Sequence, residues 1–431
     1  MKILLYGLNF APELIGIGKY TGEMAQWLAS RGHELRVVTS YPYYPQWKID
    51  KGYGGFRYRR ETWNGICVYR CPLWVPRSPR GGRRVLHLAS FAASSAPVIA
   101  WQAMRWKPDI ILGIEPTLLT APAALVGAWL GDALSWLHVQ DFEIAAAFET
   151  QLLRGDRLRR GIIALENMLL RSFDRVSTIS PTMCEGLRHK GIAEDRIRFL
   201  PNWVDAREIF PMPGSSPMRR ALAISDSAIV VLYAGNMSEK QGIDTLVDAA
   251  WKISNRRDIH IVFAGEGAAR GRLQAASSEL ANVQFLPLQP AERLNELLNL
   301  ADIHVLPQRH GVSDLVMPSK LLGMLASGRP VVAGAAPMTE IGKVVRGCGI
   351  VVSPEDGRAM AEAILSLAED KPRRSRLGAA GRDLACRDFD KNAVLSRLEN
   401  WFKEGRPGTE AVLGGRLAST ARNLNRGSTV D

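Results

Sequence analysis

The chain has 431 residues, 46% hydrophobic and 23% charged, an ordinary globular composition that at this length implies more than one core. Five cysteines, an odd number without a C-x-x-C pair, argue against a disulfide framework or a zinc cluster and for a reducing compartment. The net charge of +12, concentrated in "RYRR" (Arg57–Arg60) and "RSPRGGRR" (Arg77–Arg84), suits phosphorylated substrates or acidic lipid; without basic motifs interleaved with aromatics, nucleic acid is not an expected partner.

In chain order, "KILLYGL" from Lys2 reads as a strand, too short and too soon followed by Asn9 and Glu13 to be a secretory segment. The longest apolar run, "TLLTAPAALVGAWLGDALSWL", is broken by Asp132, so no membrane span and a cytosolic protein are expected. Next comes "NFAPELIGIGKYTGEMAQWLASRGHE" (Asn9–Glu34). Tyr20–Arg31 is predicted helical, with Met24, Trp27 and Leu28 on one stripe and Gly32 as C-cap. A dinucleotide cradle needs G-x-G-x-x-G and a carboxylate ending the second strand. Here the spacing is Gly16-x-Gly18-x-x-x-Gly22 and "LRVVTS" ends in Thr39–Ser40, so NAD is not expected. An ordinary turn or a ligand loop remains, the latter letting Gly16, Ile17 and Gly18 approach an anion at a helix N-terminus.

Strand candidates "CVYRCP", "IILGIE", "LSWLHVQ", "RVSTIS" and "IRFLPN" follow, with helical stretches at Arg84–Arg105 and Ile162–Arg171, the pattern of a parallel α/β sheet. "LHVQDFE" places His138, Gln140, Asp141 and Glu143 at a strand's carboxyl end, where such sheets hold ligands. Alternation lets at most two of His138, Gln140 and Asp141 face one way. Pro211–Pro217 reads as a linker. A second cycle begins with "AIVVLYAG" and continues through "IHIVFAG", "VQFLP", "IHVLPQ", "PVVAG" and "GIVVSPEDG", with helices from Ile243, Ala268, Pro290 and Ser319. These strands are apolar throughout, as when helices cover both faces. Two doubly wound α/β domains are predicted, 1–204 and 205–387, with a helix Asp388–Glu404 packing back on the first and a mobile tail over 405–431.

In the second half, "YAGNMSEKQGID" sets Gly235 and Gly242 around a strand–helix loop, with Lys240 adding charge, and "FAGEGAARGRL" repeats the arrangement with Gly265, Glu266 and Gly267. "PQRHGVSDLVMPSKLLGMLASGRPVVA" is a polar loop, Gln308–Asp314, leading through Pro318 and Ser319 into a helix with Lys320 in its first turn. The helix dipole disfavours a lysine there, which points to a negatively charged third party such as a diphosphate. The plain alternatives are turn glycines and a solvated lysine. Neither a Walker A lysine nor a G-x-S-x-G elbow is present.

Together, "PELIGIGKYTGEMAQWLASRGHELRVVTS", "LPNWVD", "YAGNMSEKQGID", "FAGEG", "VQFLP" and "PSKLLGMLASGRPVVA" resemble the retaining GT-B glycosyltransferases of family 4 over about residues 1–405. With "SYPYYPQW" and "HVQD", the opening stretch is most similar to the bacterial exopolysaccharide and O-antigen branch, which includes colanic-acid-type fucosyltransferases and N-acetyl-L-fucosaminyl transferases. The resemblance implies two Rossmann-like domains facing a cleft, the first binding acceptor and the second nucleotide-sugar. It implies that Gly16–Gly18 lie over the donor diphosphate, that Gly235, Asn236, Lys240 and Gln241 form the diphosphate loop, that Glu266 is the polar residue after the next strand, and that Phe285–Leu288 reads the base. Leu315 and Gly323 stand where many members carry Glu-x7-Glu, with Asp314 adjacent; Asn236 and Gln241 replace the usual Arg and Lys. The family's His-Asp pair falls at Gln140–Asp141, with His138 two residues earlier.

Lys320 is therefore the expected cation on the diphosphate, with Asp141 or His138 orienting sugar or acceptor. No cofactor and no obligatory metal are implied beyond a GDP- or UDP-linked donor. Leu315–Met317 in place of a carboxylate would suit the methyl of a 6-deoxy sugar, fucose or N-acetylfucosamine. The implied acceptor is a polyprenyl-diphosphate-linked saccharide at the inner face of the cytoplasmic membrane. Arg77–Arg84 with "VLHLASFAASSAPVIAW" could touch that anionic surface, or the helix could be buried in the core. A nucleotide-sugar 2-epimerase and a non-catalytic nucleotide-sugar-binding protein share the same expected fold.

Overall fold

Apolar strands and the helices between them sort into two largely parallel sheets. The computed structural model describes residues 1–13, 16–77, 81–115, 118–141, 156–311 and 318–405. The chain divides into two compact units, Met1–Leu200 with the chain from Leu395 onward, and Pro201–Val394.

Unit 1 runs β1 (Lys2–Gly7), α1 (Gly16–Ser30), β2 (Glu34–Ser40), β3 (Arg59–Trp63), β4 (Ile66–Cys71), α2 (Gly82–Trp106), β5 (Ile110–Glu115), α3 (Ala121–Gly131), β6 (Leu134–Val139), α4 (Asp156–Ser172), β7 (Arg175–Thr178), α5 (Pro181–His189) and β8 (Ile197–Phe199). Its sheet order is β3-β4-β2-β1-β5-β6-β7-β8. All pairs are parallel except β3–β4, a hairpin turned at Asn64 and Gly65 with φ of 46° and 80°, the conformation that this dipeptide favours. Strand β3 carries too many charged residues to stand out as an apolar run.

Helix α1 begins at Gly16 rather than at the expected Tyr20, so Gly16, Ile17 and Gly18 form its first turn instead of a free loop. A Cβ on Gly18 would lie 2.7 Å from Glu13, so glycine is what lets the turn settle on that side chain. Helix α2 divides its apolar segment by face. Leu88, Phe91, Ile99, Ala103 and Trp106 are buried, whereas Val85, Leu86, Trp101 and Met104 are exposed.

Unit 2 contains α6 (Pro217–Ala221), β9 (Ile229–Ala234), α7 (Asp244–Lys252), β10 (Ile259–Ala264), α8 (Arg270–Ala276), β11 (Val283–Leu286), α9 (Leu294–Leu298), β12 (Ile303–Leu306), α10 (Ser319–Ala326), β13 (Val331–Gly334), α11 (Glu340–Val345), β14 (Gly349–Val352), α12 (Gly357–Glu369) and α13 (Lys371–Asp388). Its sheet is wholly parallel, in the order β11-β10-β9-β12-β13-β14. The strand order reverses between β9 and β12, and such a reversal opens a ligand crevice at the strands' carboxyl ends.

The unit boundary lies slightly before the predicted one because Val204 belongs with unit 2: its N–H donates to the Phe389 carbonyl at 2.9 Å, and the Lys391 N–H donates to Val204 at 2.9 Å. The predicted helix from Asp388 starts later, as α14 (Lys391–Glu404), because Asp390 accepts from the Asn392 and Ala393 N–H groups. Trp401 of α14 stacks on Trp136 of β6 at 6.3 Å, Phe402 meets the same ring edge-on at 5.2 Å, and Glu399 meets His33 at 3.2 Å. The predicted mobile tail lies outside the described residues beyond Gly405.

Candidate functional site

At the reversal point of unit 2, two strand–helix loops lie backbone on backbone. A Cβ on Gly265 would sit 2.1 Å from the Gly235 carbonyl oxygen, and one on Gly267 2.3 Å from the Met237 oxygen. Both glycines also take positive φ, 137° and 155°, closed to other residues. The Met237 N–H then donates to the Glu266 carbonyl at 2.8 Å. The loop after β9 continues through a short turn, Glu239–Gln241, to Gly242. There a Cβ would lie 2.7 Å from the Gln308 carbonyl carbon, which presses this loop against the chain leaving β12.

Lys320, in the first turn of α10, reaches into this arrangement. Its Nζ donates to the Gln241 side-chain oxygen, lies 3.4 Å from the Tyr233 hydroxyl and stands 4.9 Å from the centroid of that ring. Its stem passes 3.4 Å from where a Gly235 Cβ would be. The Tyr233 hydroxyl donates to the Asn236 carbonyl at 2.7 Å. No carboxylate pairs with Lys320 among the described residues, and burial pushes its pKa down to about 8. A desolvated cation beside the N-terminus of a helix is positioned to accept an anion. Gly235, Asn236, Gln241 and Lys320 are thus brought together, and Glu266 adjoins them through Met237.

The other predicted positions of unit 2 sit around this group. Pro318 caps α10 and Ser319 opens it, exposed. The Glu266 carboxylate is held 2.7 Å from Arg270, whose guanidinium also bonds the Gly265 and Leu286 carbonyls at 2.6 and 3.0 Å. Leu288, just past β11, is 73% exposed. The backbone of Lys240 lies in the Glu239–Gln241 turn, and Asp314 with Leu315–Met317 lies outside the described residues. A neighbouring cavity of about 390 Å³ is lined by Glu239, Asp244, Arg272, Arg309 and Glu355. Its arginines are matched to those carboxylates, Arg272 to Asp244 and Glu239 and Arg309 to Glu239 at 3.5 Å, so it presents no uncompensated positive charge.

In unit 1, His138 is buried at the end of β6. Ser177 Oγ lies 2.9 Å from its Nδ1, the Gln140 amide lies 3.1 Å from its Nε2, and burial pushes its pKa down to about 4. Burial favours its neutral form, and both ring nitrogens are engaged. Asp141, two residues past the end of β6, is exposed. Sequence reasoning passed over Glu13 and Tyr233. Glu13 is 6% exposed and accepts from Asn9 at 2.9 Å and from the Tyr43 and Tyr44 N–H groups at 3.2 and 3.0 Å, while burial raises its pKa. A carboxylate directly after a proline and before two glycines was the only available signal, and Tyr233 looked like one more apolar strand residue.

Residues 16–203 match the glycosyl transferase 4-like domain, and residues 228–370 match glycosyl transferases group 1. The chain is 40% identical over 413 residues to the putative colanic acid biosynthesis glycosyl transferase WcaI of Escherichia coli K12, covering 93% of this chain and 99% of that one. It is 25% identical over 300 residues to the probable glycosyltransferase WbjE of Pseudomonas aeruginosa, 68% of this chain and 74% of that one. Among solved structures, sucrose-phosphate synthase from Thermosynechococcus elongatus superposes with a TM-score of 0.70 at 19% identity, covering 94% of this chain and 98% of that one. Anabaena Alr3699/HepE in complex with UDP and glucose gives 0.64 at 15%, covering 94% and 99%.

Proposed function

We propose that this chain, which belongs to the GT-B glycosyltransferases built from a 4-like and a group 1 domain, transfers a sugar from a nucleoside-diphosphate donor to a lipid-linked saccharide with retention. The observation that carries the donor half is Lys320, a desolvated cation lacking a carboxylate partner among the described residues, at the reversal point of a parallel sheet. The UDP complex of a structural neighbour is consistent with a donor of this class. The name of the 40% identical relative favours exopolysaccharide synthesis of the colanic-acid kind. Resemblance to that branch supports a 6-deoxy sugar, fucose or N-acetylfucosamine, on GDP or UDP. It also supports a polyprenyl-diphosphate-linked acceptor at the inner face of the cytoplasmic membrane, and no obligatory metal.

In this reading Lys320 offsets the negative charge that grows on the leaving diphosphate, with the head of α10 adding its dipole. The paired glycine loops fix Asn236 and Gln241 around it, and Tyr233 holds the lysine from below. The diphosphate oxygen released as the glycosidic bond breaks takes the proton of the acceptor hydroxyl on the same face of the sugar. The protein's share is then positioning and charge neutralisation. Asp141 or His138, the latter through Gln140, would orient sugar or acceptor.

Transfer assays with GDP-fucose, UDP-N-acetylfucosamine and UDP-glucose, with the anomeric configuration of the product read by NMR, test the proposal. A 6-deoxy sugar transferred with retention supports it. Transfer of glucose alone refutes the donor class, inversion refutes the mechanism, and a free epimerised nucleotide-sugar places the chain with the epimerases.

A further inference from the structure

At the carboxyl edge of the unit 1 sheet, the segment "YPYYPQW" (Tyr41–Trp47) follows β2. The buried Glu13 carboxylate fixes it to the loop after β1 through the Tyr43 and Tyr44 N–H groups, and the Tyr44 ring passes 3.8 Å from where a Gly16 Cβ would be. Trp47 has a φ of 52°, a left-handed conformation that bulky side chains rarely adopt. Its ring is half-buried and stands edge-on to Tyr43 at 5.4 Å and to Tyr44 at 6.5 Å. His87 of α2 packs against the same ring at 5.4 Å. The His87 Nδ1 lies 2.6 Å from the Trp74 carbonyl, while its buried Nε2 has no hydrogen-bond partner among the described residues. A strained backbone and an orphaned buried nitrogen in one cluster are two costs that packing alone does not explain.

The Tyr44 and Trp47 rings meet at 82°, forming a corner rather than a flat patch, and Tyr44 is 37% exposed. A pyranose matches such a corner. Its face of axial C–H groups, slightly positive, lies on the negative face of one aromatic ring, its hydroxyl rim stays in water, and the second ring limits its position. The Arg84 guanidinium carbon lies 5.1 Å from the Trp47 ring centre. Arg83, Arg84 and Lys48 stand against Asp50 in the two segments that build the corner, and Glu13 is buried and already accepts from three donors. This balance favours a sugar that carries negative charge, on a carboxylate or a phosphate.

We propose that Tyr44 and Trp47 hold a pyranose of the saccharide substrate, with Arg84 selecting a negatively charged substituent on it. The ligand's role as acceptor rests on the glycosyltransferase reading; the corner itself uses no residue of the donor site in unit 2.

The test is NMR titration of the full chain with methyl glucoside, methyl glucuronide and glucose 1-phosphate, with saturating UDP or GDP to fill the donor site. Wild type is expected to transfer saturation to the ring protons of a charged sugar and to bind it about tenfold more tightly than methyl glucoside. Which charged sugar binds distinguishes a carboxylate from a phosphate as the group recognised. Trp47→Phe should retain binding, and Trp47→Asn, at a φ that asparagine tolerates, should weaken it about tenfold. Arg84→Gln should erase the preference for charge. Circular dichroism and a donor-induced rise in Tm retained by all three variants show that they are folded, and keep this outcome apart from the fate of the glycosyltransferase reading. The proposal is overturned if neither charged sugar binds, if nucleotide abolishes the binding, if Trp47→Asn binds like wild type, if Trp47→Phe binds no better than Trp47→Asn, or if Arg84→Gln keeps the preference.

Discussion

The Nζ of Lys320 stands 3.4 Å from the Tyr233 hydroxyl and 4.9 Å from the centre of the same ring, so one tyrosine both bonds and underlies the cation at the head of α10. That hydroxyl donates to the Asn236 carbonyl at 2.7 Å, linking the lysine to the loop after β9. Tyr233→Phe keeps the ring and removes both links. Donor affinity should fall about tenfold, while stability drops by about 1 kcal/mol. Calorimetric titration with the preferred donor beside thermal denaturation measures both; unchanged affinity would show that Tyr233 only fills the core.

The lowered pKa of Lys320, about 8, gives a signed pH dependence. Without donor, the unfolded lysine holds its proton up to its ordinary value near 10.5, so between these values the unfolded state binds more protons and this residue's contribution to stability rises with pH. Donor affinity should do the reverse, being highest below pH 8 and weakening as the amine becomes neutral. Titrations at pH 7 and 9 check this. Lys320→Met should bind donor weakly at both values, with little pH dependence from this position.

His138 predicts acid sensitivity. Its folded pKa of about 4 lies below the ordinary 6.5. As pH falls from 6.5 towards 4 the unfolded state takes up the extra proton, and about 3 kcal/mol of stability is lost from this residue. His304 in β12, buried and pushed down to about 3, adds a loss of the same sign in unit 2. Urea melts at pH 7 and 4.5 should show a smaller pH effect in His138→Asn than in wild type. An equal effect would mean that the imidazole is not buried neutral.

Two glycine substitutions should diverge. Gly265→Ala meets a backbone oxygen at 2.1 Å and a φ of 137°, and should cost about 3 kcal/mol or more as the paired loops separate. Gly161→Ala, in α4 with open space around it, should stabilise by up to about 1 kcal/mol. Denaturant unfolding of both variants makes the comparison.

Much of the fold could be read from alternation alone, because strands covered on both faces are apolar throughout and their spacing leaves room for one helix each. What escaped was polar or local. Strand β3 looks like a charged loop until Asn64–Gly65 is read as a hairpin turn, and α1 reaches back to Gly16, with Gly18 packed against Glu13. The glycines and Lys320 were visible as a candidate anion site. The Tyr233 support was not, because a tyrosine hydroxyl inside an apolar strand leaves no spacing signal. His138 looked like a strand-end ligand group, yet its two bonds, to Ser177 across the sheet and Gln140 beside it, depend on strand pairing that a single strand does not reveal.

The central claim is that Lys320 receives the donor's diphosphate. Thermal denaturation of wild type and Lys320→Met with saturating GDP, UDP and their 6-deoxy sugars tests it most directly, since a ligand raises Tm by binding the native state. The account predicts that one nucleotide series raises the Tm of wild type and that Lys320→Met, folded and of similar intrinsic stability, shows little or none of that rise. An equal rise in both proteins would contradict it.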